Sequence, residues 1–328
     1  MSQSRVPLSI LDLALVSGDS TVADALRASV AMAQAAEERG YKRVWYAEHH
    51  NMASIASAAT SVLIAHVAAR TDAILLGSGG IMLPNHSPLT IAEQFGTLAS
   101  LHPGRIELGL GRAPGGDQAI FRALRRSPMA ATSFPQDVAE LQGYLSDHSI
   151  VDGVTAIPGT GTFVPLTILG SSLFGAQLAA QFGLPYGFAS HFAPDEIDRA
   201  IPLYRDQFRP STQQSTSHVI AGVNVVLAET DDEARATFEQ VTRLRVASFL
   251  ARGRQLSASQ LDELVESLPG QQVKSMLRHT AVGTPTTIRP QLEAFASLAD
   301  ADELIVVFND ISEAGRMRCL HLLADAYG

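Results

Sequence analysis

Two adjacent histidines stand directly after a short apolar segment, in the run Glu48-His49-His50. A histidine side chain titrates near neutral pH, so either ring could act as a general base or donate a hydrogen bond to a reacting oxygen. A metal site is a second interpretation, although neighbouring side chains at a strand end point to opposite sides, which disfavours two ligands for one ion. The third is a structural hydrogen-bonded pair. Catalysis is the interpretation that the pattern favours.

A second group of residues has the composition of a phosphate site. Gly170-Ser171-Ser172 lies between a predicted strand and a predicted helix, where free N–H groups, hydroxyls and the helix dipole attract an anion. Arg112 ends another predicted strand and could supply the fixed positive charge that a phosphate needs. In the alternative interpretation, one serine only caps the helix and the arginine only forms a surface salt bridge.

The glycine-rich segments of the chain do not match the common nucleotide-binding motifs. Gly77-Ser78-Gly79-Gly80 follows an apolar strand and would let the backbone approach a flat ligand closely, or it forms a tight turn. Gly109 and Gly111 lack the third glycine of the dinucleotide fingerprint, and the chain has no P-loop. No Gly-x-Ser-x-Gly elbow is present, which argues against a serine hydrolase.

Short apolar strands alternate with amphipathic helices along the whole chain. Thr21 or Asp24 can cap a first helix that runs to Arg39, and Pro88 can open another. The pattern predicts strands at Val6–Leu15, Arg43–Ala47, Ala73–Gly77, Arg105–Gly109, Leu166–Leu169, Tyr186–Ala189, Val219–Leu227 and Glu303–Phe308. Strands that are each followed by a helix predict an α/β fold, a (β/α)8 TIM barrel, with an open doubly wound sheet as the rival. In either fold the polar residues after the strands collect at one end of the sheet.

Two connections are longer than ordinary loops. Residues 113–165 separate the predicted fourth and fifth strands and contain at least one extra helix, and the polar residues 250–285 separate the seventh and eighth. Such insertions on a barrel either decorate it or cover its active site. No linker or internal repeat interrupts the chain, so residues 1–328 are predicted to form a single domain.

Composition excludes several classes of protein. A formal net charge of −9 argues against a nucleic-acid groove and an anionic membrane surface, and the 46% of apolar residues argues for a large core. The single cysteine, Cys319, excludes an intrachain disulfide and is predicted to be buried. No apolar run approaches the ~18 residues of a membrane span, and the first residues lack the features of a signal peptide. We therefore expect a cytoplasmic protein.

Taken together, several sequence blocks resemble the bacterial luciferase-like flavin-dependent monooxygenases. Their order and spacing make the resemblance specific, and it extends over nearly the whole chain. The blocks are GYKRVWYAEHH at 40–50, LGSGGIMLP at 76–84, GRIELGLGR at 104–112, the stretch 169–185 with its ending AAQFGLP, and VGTP at 282–285.

The resemblance implies a TIM barrel of the luciferase-like type and a two-component chemistry. Reduced FMN, supplied by a separate and transiently bound NAD(P)H:flavin reductase, reacts with O₂ to a flavin C4a-peroxide that oxygenates a small organic substrate. A homodimer is implied as well, and the helical stretches Ser57–Arg70 and Ile91–Ser100 carry the small residues that close packing requires. The family also contains deazaflavin (F420)-dependent oxidoreductases and non-catalytic flavin-binding proteins, and these stay as alternatives.

The resemblance also assigns roles to single residues. His49 matches the catalytic histidine, and Gly111 stands in place of a reactive cysteine, so light emission is doubtful. A non-proline cis peptide is implied between Gly79 and Gly80. The implied cofactor contacts are Glu48, Gly79, Gly80, Arg112, Ser171 and Ser172.

Overall fold

Parallel strands form one closed sheet in the computed structural model, which describes residues 5–18, 20–113, 118–251 and 254–327. Each strand pairs with the next from β1 to β7, and β9 pairs with both β7 and β1, so eight strands close a barrel. β8 pairs with the end of β7 outside this ring. The strands are β1 (Leu8–Asp12), β2 (Arg43–Tyr46), β3 (Leu75–Met82), β4 (Ile106–Gly111), β5 (Leu166–Gly170), β6 (Tyr186–Phe188), β7 (Val219–Leu227), β8 (Thr280–Gly283) and β9 (Glu303–Phe308).

Helices cover the outside of the barrel. They are α1 (Val22–Glu38), α2 (Thr60–Ala68), α3 (Pro88–Leu101), α4 (Gln118–Ala123), α5 (Phe134–Leu145), α6 (Leu173–Phe182), α7 (Ile197–Gln207), α8 (Asp231–Leu250), α9 (Ala258–Glu266), α10 (Leu268–Ser275), α11 (Ile288–Leu298) and α12 (Glu313–Tyr327). Thr21, one of the two predicted caps, caps α1 in a capping box with Asp24, and Pro88 begins α3 as predicted. No helix in the described ranges is long and apolar enough to cross a membrane.

The closed ring confirms the predicted TIM barrel and shows that the open doubly wound sheet is wrong. The pairing of β6 with β7 and of β9 with β1 leaves no open edge in the ring. The first strand is shorter than predicted, and β3 is longer because it continues through Gly79 and Gly80 to Met82. β8 was not predicted, because its four residues lie in the polar stretch 250–285 and pair outside the barrel.

Two apolar cores lie on the two sides of the sheet. The larger one fills the space between the strands and the surrounding helices, and it contains Cys319, whose buried thiol donates to the carbonyl of Leu227. The smaller one fills the barrel interior and consists of Leu11, Trp45, Ala47, Ile220, Ile305 and Val307. Burial on both faces explains why the strands are continuously apolar.

Charged side chains close the end of the barrel where the strands begin. The Arg43 guanidinium, 8% exposed, pairs with Glu107 and with Glu303, and its Nε lies 2.8 Å from Glu303 Oε1. The Lys42 ammonium also pairs with Glu303, and the Ser9 hydroxyl donates a hydrogen bond to the Glu303 carboxylate. Burial works to raise the pKa of Glu303, but its donors and cations lower the pKa to about 2. This buried ion network ties β1, β2, β4 and β9 together.

Both insertions contain regular structure. Helices α4 and α5 lie in residues 113–165, as predicted. The stretch 250–285 contains α9, α10 and β8, and its helices share with α8 an apolar cluster of their own formed by Val246, Val265 and Val273. We call α8, α9, α10 and β8 the insertion unit. Since it follows β7, it begins at the same end of the barrel as the residues that follow each strand.

Candidate active site

The residues predicted to act in catalysis and cofactor binding lie at or near the carboxyl ends of four neighbouring strands. His49 follows β2, Gly80 lies in the last part of β3, Arg112 follows β4, and Ser171 follows β5. Because β2, β3, β4 and β5 pair in this order and all run in parallel, these residues occupy one rim of the barrel. TIM-barrel enzymes carry their active sites at this rim.

Glu48 is a hub of hydrogen bonds between the ends of β2 and β3. Nε2 of His50 and Nε2 of His86 each donate to Oε1 at 2.8 Å, and the backbone N–H of Met82 donates to Oε2 at 3.0 Å. Burial works to raise the pKa of Glu48, but the hydrogen bonds from the two histidines outweigh it and the pKa lies below its ordinary value. Both oxygens of this predicted cofactor contact therefore have protein donors, and the geometry supports a positioning role.

The Nδ1 atom of His49 takes no part in this hub. Its backbone N–H donates to the carbonyl of Ser57 at 3.0 Å, while its buried Nδ1 has no hydrogen-bond partner among the described residues. The sequence predicts a histidine that titrates near neutral pH, but burial lowers the pKa of His49, against the opposing charge of Glu48. At neutral pH the ring is therefore mostly neutral.

His191 is a second histidine at the rim, and sequence reasoning assigned it no role. It follows β6 and packs over Gly222 of β7, where an added Cβ would stand 2.4 Å from the histidine Nδ1. Asn224 Nδ2 donates to the His191 carbonyl at 2.6 Å and holds the residue in place. Burial, the Arg245 charge and His49 lower the pKa of His191 to about 3, so its ring is neutral. Its Nδ1 is also buried without a partner in the described chain.

The last part of β3 is built from glycines that pack closely against neighbouring residues. The peptide bond between Gly79 and Gly80 is cis, which confirms the prediction. A Cβ at Gly80 would stand 2.7 Å from the carbonyl oxygen of Gly109, so no larger residue fits against β4. Trp45 lies behind the same segment, since a Cβ at Gly77 would stand 2.8 Å from its Nε1. The glycines therefore let adjacent strands approach closely.

Arg112 and the start of α6 form one polar corner of the rim. The guanidinium carbon of Arg112 lies 4.0 Å from the centre of the Phe174 ring, in the first turn of α6. Ser172 occupies the N-cap position, but its side chain makes no capping hydrogen bond. The first N–H groups of a helix have no partner within it, so this corner offers N–H groups, the two serine hydroxyls and a positive charge to an anion. The stacking ring of Phe174 gave no signal in the sequence.

The comparisons with known proteins agree with this geometry. The family model described as luciferase-like monooxygenase matches residues 6–302. The chain belongs to this family. A luciferase-like monooxygenase of Escherichia coli (strain K12) is 43% identical over 333 residues, which cover 99% of this chain and 98% of the relative.

Two further relatives of this luciferase-like monooxygenase are informative. The crystal structure of apo-MsnO8 superposes with a TM-score of 0.87 at 34% identity and covers 98% of both chains. The N-acetyl-S-alkylcysteine monooxygenase of Bacillus subtilis (strain 168) is 34% identical over 272 residues, which cover 79% of this chain and 78% of the relative. Family membership shows an oxidoreductase built on this barrel.

Proposed function

We propose that the chain is an FMN-dependent monooxygenase that inserts one oxygen atom of O₂ into a small organic substrate. Reduced FMN supplies two electrons, and the second oxygen atom leaves as water. The observation that carries the proposal is the shared rim on which an anion corner, the glycine segment of β3 and a neutral histidine with an unused Nδ1 are combined. These three features fit the phosphate, the flat ring and the reacting edge of a flavin.

In this proposal, Arg112 and the start of α6 bind the phosphate of FMN. Arginine is suited to phosphate because its donors form a rigid fork, and the ring of Phe174 keeps the guanidinium in place. Ser171 and Ser172 lie beside the helix start and can donate through their hydroxyls. In this proposal the backbone of Gly79 and Gly80 at the end of β3 lies against the flavin ring.

In this proposal, His49 is the residue that exchanges a proton with the substrate. Its ring is mostly neutral at neutral pH because burial lowers its pKa, so it can accept a proton or donate a hydrogen bond at a substrate oxygen. Glu48 acts on this site indirectly, because its bonds to His50, His86 and Met82 hold the end of β2 against the end of β3. The neutral ring of His191, which follows β6, belongs to the same rim.

The direct test offers the purified protein reduced FMN, O₂ and a panel of small substrates, with mass spectrometry of the products. The name of the Bacillus relative supports thioethers as the first members of the panel. A product heavier by one oxygen atom, labelled from ¹⁸O₂, supports the proposal. Exclusive binding of a deazaflavin would favour hydride transfer instead, and FMN binding with no product from any substrate would favour a non-catalytic flavin carrier. Supply of the reduced flavin by a cytoplasmic reductase is part of the same proposal.

Removal of Arg112 is expected to weaken FMN binding selectively. Arg112→Ala removes one charge-assisted contact of about 2–3 kcal/mol, so the dissociation constant for FMN should rise by roughly 30- to 150-fold. Quenching of Trp45, the only tryptophan, measures binding without any substrate. Riboflavin lacks the phosphate, so its affinity should stay the same, and the exposed Arg235→Ala is the matched control. An unchanged FMN affinity would remove Arg112 from the site.

We also expect a homodimer built on α2 and α3. Val62 on α2 and Leu101 at the end of α3 are 67% and 66% exposed, so both apolar side chains are accessible to a partner subunit. Sedimentation velocity should give a species of twice the 34.9 kDa chain mass, and Val62→Asp should shift it toward the monomer. A monomer at every concentration would contradict the prediction.

A further inference from the structure

A buried arginine of the last helix holds the loop that follows β1. We call residues 13–17 the β1 loop. The Arg316 guanidinium of α12 donates to the carbonyl of Leu15 at 3.3 Å and to the hydroxyl of Ser17 at 3.2 Å. It also donates to the carbonyl of Asp310 after β9 at 3.1 Å. Since β1 and β9 are paired, one side chain ties α12 to the loops after two adjacent strands.

Asp12, the last residue of β1, fixes the start of the same loop. Its Oδ1 accepts a hydrogen bond from the backbone N–H of Ala14 at 2.8 Å. Ala14 has a φ of 49°, in the left-handed region that residues other than glycine rarely adopt, so the Asp12 carboxyl group supports an unfavourable backbone conformation. Asp12 and Arg316 also line the same two small cavities beside α12, so they act on the β1 loop from neighbouring positions.

The β1 loop in turn binds the segment 54–57, which belongs to the connection after β2. The backbones of the two segments meet like antiparallel strands, through the N–H of Ala56 and the carbonyl of Ala14 at 3.0 Å, the N–H of Val16 and the carbonyl of Ser54 at 2.9 Å, and a bridge between Leu15 and Ile55. The buried hydroxyl of Ser57 donates to the carbonyl of Leu13 at 3.1 Å. The position of the segment 54–57 is therefore set by the β1 loop.

Ser57 is the residue that binds the backbone of His49. The His49 N–H donates to the Ser57 carbonyl at 3.0 Å, and this bond closes the connection after β2 onto its own first part. A continuous path of hydrogen bonds therefore leads from Arg316 and Asp12 through the β1 loop to His49. A displacement of the β1 loop would shift the backbone that carries the His49 ring.

We propose that Arg316 and Asp12 are positioning residues for His49. They hold the β1 loop, the β1 loop holds Ser57, and Ser57 holds the backbone of His49 at the rim. This inference rests on the proposed function, because it concerns the histidine that exchanges a proton there. A catalytic group that is misplaced by about 1 Å can lower a rate by roughly 10²-fold, so the order of this path matters for turnover.

Stabilisation of the barrel alone is the competing role for Arg316, and the two roles differ in what they change. A purely structural residue affects the free energy of unfolding and the opening of the whole domain. A positioning residue changes kcat through His49 and changes local opening along the path from the β1 loop to His49. The experiment therefore compares kinetics with and without the His49 ring and measures local opening separately.

Replacing Arg316 with methionine should lower kcat by roughly 10- to 100-fold and leave KM and the FMN affinity nearly unchanged. In the His49→Ala background the same replacement should lower kcat no further, because the ring through which Arg316 acts is gone. Asp12→Ala should act in the same direction, and Asp12→Asn should restore part of kcat, since its amide oxygen can still accept from the N–H of Ala14. Arg318→Met is the matched control, because this exposed arginine of α12 pairs with Glu233 at the surface, and it should behave like the original protein.

Hydrogen exchange of the protein without flavin or substrate measures local opening. In Arg316→Met the protection of the His49 and Ala56 amides should fall by roughly 10-fold, while the amides of α6 keep theirs. Ser57→Ala removes only the hydroxyl bond to Leu13 and is the milder variant, which should show the same local loss to a smaller degree. It keeps the test decisive if Arg316→Met does not fold.

Several outcomes would overturn the inference. An equal loss of kcat from Arg316→Met with and without the His49 ring would show that Arg316 does not act through His49. Unchanged protection of the His49 amide, or an equal loss of protection in all helices, would leave Arg316 a structural role alone. Failure of the original protein to bind FMN or to form a product would instead contradict the proposed function. The exchange experiment uses neither flavin nor substrate, so the two failures are distinguishable.

Discussion

Replacing His49 with alanine is expected to lower turnover by ~10²–10⁴-fold, the usual range for one acid–base group. The fold and the FMN affinity should stay nearly unchanged, because Nδ1 of His49 bonds to no described group. Since burial lowers the pKa of His49, the acid limb of kcat/KM should lie below the ordinary histidine value of about 6.5. Steady-state kinetics with saturating reduced FMN and an accepted substrate measure both effects.

His50 provides the control for this experiment. His50→Ala removes a donor to Glu48 and should cost about 1–3 kcal/mol in the free energy of unfolding with a smaller loss of turnover. If His50→Ala abolishes turnover while His49→Ala stays active, the roles of the two rings are reversed. If both variants stay active, histidine takes no part in the chemistry and the flavin acts with positioning alone.

Replacing Glu303 with glutamine is expected to destabilise the fold by about 3–5 kcal/mol, because it removes the buried carboxylate that pairs with both Arg43 and Lys42. The same change should alter the response to acid. The pKa of Glu303 is lowered from 4.5 to about 2 in the folded state, so its contribution is present above pH 4.5 and is lost as the pH falls toward 2. Over this window the original protein should lose about 3 kcal/mol more than the variant.

Urea unfolding at a series of pH values measures this difference. Glu239→Gln, an exposed carboxylate on α8, is the matched control and should behave like the original protein. A parallel pH dependence in Glu303→Gln and in the original protein would show that the ion network does not stabilise the folded state. The variant should bind FMN normally, since Glu303 begins β9 at the end of the barrel opposite to the rim.

Local patterns in the sequence were sufficient to predict most strands and helices of the barrel. Continuous apolar strands, the Thr21 capping box and Pro88 at the start of α3 each depend on a few consecutive residues, and the structure agrees with all of them. Boundaries were less accurate, because the strand β3 continues through glycines that usually mark a turn. The strand β8 has only four residues and lies in a polar stretch, so the sequence gives no pattern that predicts it.

The candidate site was likewise predictable from the sequence only in part. The sequence by itself determined the class of fold, the family and the residues at the strand ends, because in a parallel barrel every strand delivers its last residues to one rim. Only the tertiary structure decided how those residues are used. The bonds of Glu48 to His86 and Met82 and the stacking of Arg112 on Phe174 join positions that are far apart in the chain. Burial and partners set the pKa and the hydrogen bonding of such groups, and neither is a property of a residue's neighbours in the sequence.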